Sequence, residues 1–215
     1  MLTPADAHLY GILDLGYVQP ADVERVTCEL LAGGVDLLQL RAKKCEPAEI
    51  ERMARLMHPL TKAAGIPLII NDHPEIAASV GTEGIHVGQD DQSVAATRAI
   101  VGPSCFVGKS THSVAQARAA MEEGADYIGF GPLYATGTKP DYVPIGLQEI
   151  AEVHAFATCP VFCIGGVNPQ RLPEIVTAGA RRVVIVSALL LAPDVVAAVR
   201  EVKQQLLSQV GAATA

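Results

Sequence analysis

Short apolar runs alternate with stretches of helical periodicity along the whole chain, and seven of those runs end in a polar or glycine-rich cluster. The clusters close on Gln39-Leu40-Arg41-Ala42-Lys43, Asn71-Asp72, Gly88-Gln89-Asp90-Asp91, Gly108-Lys109-Ser110, the stretch up to Lys139, Gly165-Gly166 and Ser187. Parallel strands point their carboxyl ends the same way. In an α/β barrel, that end is where ligands bind. The repeat of apolar strand followed by polar cluster therefore gathers residues distant in sequence around one pocket.

The strands are expected at Leu9 to Leu13, up to Arg41, Pro67 to Asn71, Gly84 to Val87, Phe106 to Gly108, Tyr127 to Phe130, Val161 to Ile164 and Arg182 to Val186. Helical spacing of apolar residues separates them, as at Ile50, Met53, Ala54, Met57 and Leu60. Pro20 opens the first helix and Gly33-Gly34 closes it. Helices are also expected from Pro74, Ser93, Val114, Ile145 and Asn168-Pro169, with the last on the face of Val195, Val199, Val202 and Leu206. Eight strands and eight helices in alternation predict a single (β/α)8 TIM-barrel domain over residues 1–215, with 211–215 as a frayed tail. The strands are apolar throughout, as strands covered on both faces should be.

Composition removes several function classes. A net charge of -7 gives no basic footprint for nucleic acid. The longest apolar stretch, Val183 to Ala192, is about half the ~20 residues of a membrane span. Met1 to Tyr10 lacks the pattern of a signal peptide. Five cysteines without metal-site spacing read as buried thiols in a reducing, cytoplasmic setting. A homo-oligomer is left open.

Gln39, Arg41 and Lys43 alternate along the second strand and share a face if the strand continues. Gln39 falls inside a buried apolar run, so its amide needs a partner. Asp72 and Asp91 end adjacent strands. A few carboxylates at neighbouring strand ends suit Mg2+, which keeps waters and accepts phosphate oxygens as further ligands. Helix capping is the competing role for both. Gly108-Lys109-Ser110 does not satisfy the spacing of a nucleotide phosphate loop; Ser110 remains a donor at the rim. The loop after the sixth strand carries Thr136, Thr138 and Lys139, and loops longer than about twelve residues in compact domains are usually functional or disordered. Gly165, Val186 and Ser187 end the seventh and eighth strands, where barrels often build phosphate sites. His73 and His112 stand at rim positions, and His86 reads as core or as support for the rim.

In order and spacing, these clusters resemble the thiamine-phosphate synthase family over about residues 9 to 205. The resemblance implies joining 4-amino-2-methyl-5-hydroxymethylpyrimidine diphosphate to a thiazole phosphate, with release of pyrophosphate. It implies that Gln39, Arg41, Lys43, Asn71, Ser110 and Lys139 hold the pyrimidine diphosphate, with Arg41, Lys43, Lys139 and Ser110 acting on the reaction. By the same resemblance Asp72 and Asp91 hold Mg2+, and Thr136, Thr138, Gly165, Val186 and Ser187 hold the thiazole phosphate. Many relatives carry a second acidic residue where this chain has His73. A thiazole tautomerase of the same barrel, using a histidine where His112 stands, and a non-catalytic sensor of phosphorylated ligands are the alternative readings. The tautomerases lack the metal-carboxylate pair that is present here.

Overall fold

A computed structural model describes residues 1–136 and 143–214. Eight parallel strands close into a barrel in sequence order. They are β1 (Leu9–Asp14), β2 (Leu37–Arg41), β3 (Leu68–Asn71), β4 (Gly84–Val87), β5 (Phe106–Thr111), β6 (Tyr127–Phe130), β7 (Val161–Cys163) and β8 (Val183–Ile185). Around them run α1 (Val23–Gly33), α2 (Pro47–Ala63), α3 (Pro74–Val80), α4 (Val94–Val101), α5 (Val114–Glu122), α6 (Ile150–Phe156), α7 (Leu172–Thr177), α8 (Ser187–Leu190) and α9 (Val195–Thr214). The alternation predicted from the apolar runs is the architecture, except that two helices, α8 and α9, follow β8 where one was expected.

Alternation along each strand divides the apolar residues into two cores. One lies between strands and helices and includes Leu38, Leu40, Ile70, Ile85, Val107 and Ile128. The other fills the barrel with Tyr10, Ile12, Leu37, Ile69, Tyr127, Phe162 and Val184. Three of its rings pack edge to face, with centroids 5.5 to 6.0 Å apart, a favoured arrangement for aromatic pairs. Glycine makes room for them. A Cβ on Gly108 would lie 2.1 Å from Tyr127 Cζ, and one on Gly84 would lie 2.4 Å from an Ile69 methyl.

Gly33-Gly34-Val35-Asp36 and Glu123-Gly124-Ala125-Asp126 each lead from a helix end into a strand, and their aspartates do the same work. Asp36 accepts the backbone N–H groups of His8 and Leu9, and Asp126 accepts that of Val107. Each carboxylate ties the start of one strand to the start of its neighbour. Each also holds a cation, Lys203 on Asp36 and Arg98 on Asp126.

Several expectations are corrected. β5 runs on to Thr111, so Ser110 lies within the strand. α6 begins at Ile150 instead of Ile145, because Gly146 takes a left-handed φ of 74 that a helix cannot run through, while the Ile145 and Gly146 N–H groups bond back to Pro132 and Leu133. Asn168 caps a turn, accepting from Arg171 N, and α7 starts only at Leu172. Cys28 is exposed, while Cys105 and Cys163 are buried and Cys45 and Cys159 are partly so. α9 runs as one helix from Val195 to Thr214. Among the described residues no helix is long and apolar enough to cross a membrane.

Candidate active site at the barrel mouth

A cavity of about 900 Å3, counted to its open mouth, sits at the carboxyl end of the strands. Of the residues singled out from sequence, Gln39, Arg41, Asn71, Ser110, Thr136, Gly165, Val186 and Ser187 line it. So do His86 and His112. Thr138 and Lys139 lie outside the described residues.

The second strand behaves as its alternation predicts. Gln39 and Arg41 both face inward, and the Gln39 amide finds its partner in Tyr10, donating from Nε2 to Oη at 2.6 Å. Arg41 ends the strand and donates from Nη1 to Asp14 Oδ2 at 2.5 Å. Asp14 is 3% exposed and also accepts from Gly16 N at 2.8 Å. Lys43 lies past the end of the strand and forms an ion pair with Asp72. Neither Lys43 nor Asp72 nor Asp91 lines the cavity, but Lys43 follows Arg41 by two residues and Asp72 follows Asn71 directly, and Arg41 and Asn71 do line it.

Asp72 and Asp91 come together there. Neither caps a helix. His73 is the N-cap of α3, and Ser93 caps α4 by accepting from Ala96 N. Asp72 has φ 66, a left-handed conformation that Asp and Asn tolerate better than most residues. Burial pushes its carboxyl above the ordinary aspartate value; the Lys43 ammonium opposes that, and Asp91 adds to it. Asp91 is fixed by accepting from Gly88 N at 2.7 Å. Two neighbouring carboxylates beside Lys43 form an oxygen donor set that would suit a divalent cation. Among the described residues no third His, Cys, Asp or Glu joins them. That pattern suits Mg2+, whose remaining ligands are commonly water and phosphate oxygens.

On the opposite side, the base of the sixth loop is stitched to the end of β7. Leu133 N donates to Ile164 O at 2.8 Å and Tyr134 N to Gly165 O at 3.1 Å. A Cβ on Gly131 would lie 2.1 Å from Ile164 O. Gly165 combines φ 100 with Pro132 at 2.4 Å from any Cβ, so no other residue fits there. Arg171 closes the corner, donating to Gly166 O at 2.7 Å and lying 4.2 Å from the Tyr134 ring centre.

Three roles were not foreseen. Tyr10 and Tyr127 read as ordinary core residues, and Asp14 follows an apolar run without any motif to mark it. His86 takes the second of its two expected roles, support for the rim: its Nε2 lies 2.9 Å from Ser110 Oγ. His112 is held by a short contact from Nδ1 to Gly131 O, and His73 does not line the cavity. Lys109 points away from the cavity toward Glu123 Oε2, 3.4 Å off.

A family profile described as thiamine monophosphate synthase matches residues 9–189. The chain belongs to that family. A thiamine-phosphate synthase of Chloroflexus aurantiacus is 37% identical over 199 residues, covering 92% of each chain. One from Azorhizobium caulinodans is 39% identical over 201 residues, covering 93% of this chain and 95% of its own. Among solved structures, thiamine phosphate pyrophosphorylase from Pyrococcus furiosus superposes with a TM-score of 0.87 at 26% identity, covering 95% of this chain and 98% of that one.

Proposed function

We propose that this chain is a thiamine-phosphate synthase that joins 4-amino-2-methyl-5-hydroxymethylpyrimidine diphosphate to a thiazole phosphate and releases pyrophosphate. The observation that carries the reading is the meeting of Asp72, Asp91 and Lys43, just past Asn71 and Arg41 in the chain, while Asn71 and Arg41 line a cavity that Gly165 and Ser187 also line. The first group suits a diphosphate with its metal and the glycine and serine a monophosphate. A coupling enzyme needs both.

The chemistry asked of the residues is modest. If the C–O bond to the diphosphate breaks first, the aminopyrimidine ring delocalises the cation and the thiazole nitrogen then attacks it. Such a step needs stabilisation of the negative charge growing on pyrophosphate. Arg41 and Lys43 would supply it, with Lys139 from the sixth loop. A well-placed unit charge at 4 Å contributes on the order of 4 kcal/mol at an effective dielectric of 20, worth roughly a thousandfold in rate if expressed only in the transition state. Mg2+ held by Asp72 and Asp91 would add Lewis-acid neutralisation of the same oxygens. Gln39, Asn71 and Ser110 would orient the pyrimidine, and Thr136, Thr138, Gly165, Val186 and Ser187 the thiazole phosphate. The apolar floor of Ile12, Phe162, Val184 and Val186 keeps water from the cation. The five thiols, none in a disulfide, suit a reducing cytoplasm.

Purified protein given both substrates and Mg2+ should form thiamine phosphate, and omission of any one should stop it. Isomerisation of a thiazole without coupling would favour the tautomerase reading.

A further inference from the structure

A buried hydrogen-bond chain crosses the barrel beneath the cavity. Gln39 Nε2 donates to Tyr10 Oη at 2.6 Å. The Tyr10 and Tyr127 hydroxyls lie 3.2 Å apart, Tyr127 Oη is 3.2 Å from His86 Nδ1, and His86 Nε2 is 2.9 Å from Ser110 Oγ. Both ends, Gln39 and Ser110, face the cavity. The two phenols between them are 1% and 0% exposed.

Proton counting gives this chain a direction. The amide nitrogen of Gln39 only donates, so Tyr10 Oη accepts there. The Tyr10 proton then has Tyr127 Oη within reach, and the Tyr127 proton has His86 Nδ1. A neutral imidazole that accepts at Nδ1 donates at Nε2. Ser110 Oγ accepts that hydrogen bond, which leaves its own proton for the cavity. Run the other way, the chain would leave the buried Tyr10 proton without an acceptor, a costly arrangement. Burial holds both phenols above the ordinary tyrosine value, so they stay protonated. With its nitrogen engaged by Tyr10, Gln39 offers its carbonyl oxygen.

We propose that Tyr10, Tyr127 and His86 are positioning residues that set the polarity of the pocket, making Gln39 an acceptor and Ser110 a donor. The ligand so specified is a heterocycle that gives an N–H to Gln39 and a ring-nitrogen lone pair to Ser110. A 4-aminopyrimidine does both. Its 4-oxo counterpart sets a carbonyl against the Gln39 oxygen and a ring N–H against the Ser110 proton. Sites built from paired buried polar groups reject such mismatches far more strongly than apolar pockets reject a size change. This inference rests on the reading that the cavity holds the pyrimidine diphosphate.

Two measurements test it together. Nitrogen-15 NMR of the ligand-free protein reads the His86 tautomer, and calorimetry with Mg2+ compares the Kd of the 4-amino and 4-oxo pyrimidine diphosphates in wild type and Tyr127→Phe. The expected result is an Nε2–H imidazole, a wild-type preference for the amino compound of about a hundredfold or more, and a loss of at least about tenfold of that preference in Tyr127→Phe. An Nδ1–H imidazole in the wild type overturns the proposal, and so does a Tyr127→Phe protein that weakens both ligands equally. The tautomer needs no folded variant to be read. Selective binding without turnover would contradict the coupling reading and leave the polarity inference standing.

Discussion

Arg41 Nη1 and Asp14 Oδ2 meet at 2.5 Å across the ends of β2 and β1, with the Asp14 side chain 4% exposed and that of Arg41 13%. The register places Asp14 directly beside Arg41, so the pair forms without distorting either strand. The carboxylate fixes where the guanidinium stands and leaves its remaining N–H groups for a ligand. Asp14→Asn should therefore raise KM for the pyrimidine diphosphate by about tenfold or more, the scale of losing one charge-assisted hydrogen bond. KM for the thiazole phosphate should stay unchanged. Steady-state kinetics with each substrate varied in turn checks this.

Asp72 links pH, metal and stability. Its folded carboxyl titrates above the ordinary aspartate value, with burial as the first cause and Asp91 adding to it. The folded state therefore holds a proton that the unfolded state has already lost, and stability falls as pH rises from the ordinary value through the raised one. Metal-free protein should lose this contribution over that acidic window. Asp72→Asn removes the buried charge and keeps a residue that tolerates a positive φ, so it should raise the melting temperature of metal-free protein at neutral pH. It should also abolish the stabilisation that Mg2+ gives the wild type by binding the native state. Thermal melts across pH, with Mg2+ and with chelator, give both results.

The floor of the barrel offers a control. Asp36 accepts from His8 N and Leu9 N and pairs with Lys203 at 2.7 Å, on the face away from the cavity. Asp36→Ala strands two strand-end N–H groups and leaves Lys203 with its bond to Gly34 O but without its counter-charge. It should cost about 2 to 4 kcal/mol of stability while kcat and both KM values hold below the melting transition. Chemical denaturation paired with kinetics at low temperature separates the two.

The barrel and half of its rim were legible because their signals are local. Buried strands write themselves as apolar runs, and Gln39 was conspicuous as the polar residue inside one. Asp72 and Asp91 end adjacent strands, and neighbouring strand ends in a parallel barrel are neighbours in space, so strand order alone was enough to pair them. The hydrogen-bond chain was not legible. Tyr10 and Tyr127 are 117 positions apart, and a tyrosine in a strand reads as apolar until its hydroxyl is seen to meet another. Asp14 was missed for a similar reason, since its partner lies 27 positions on. The expected start of α6 is displaced because Gly146 turns left-handed at φ 74 to dock Ile145 and Gly146 on the sixth loop, a tertiary choice that helical spacing does not record.

The proposed division of the rim into a diphosphate half and a monophosphate half is tested most directly by crossing two variants with two substrates. Arg41→Ala should raise KM for the pyrimidine diphosphate by about a hundredfold, as expected for losing a charged contact of about 2 to 3 kcal/mol, and leave that for the thiazole phosphate within about twofold. Gly165→Ala forces a left-handed alanine against Pro132 and should do the reverse, raising KM for the thiazole phosphate by at least about tenfold. If each variant raises both KM values by the same factor, or if the two effects are exchanged, the division of the rim is contradicted.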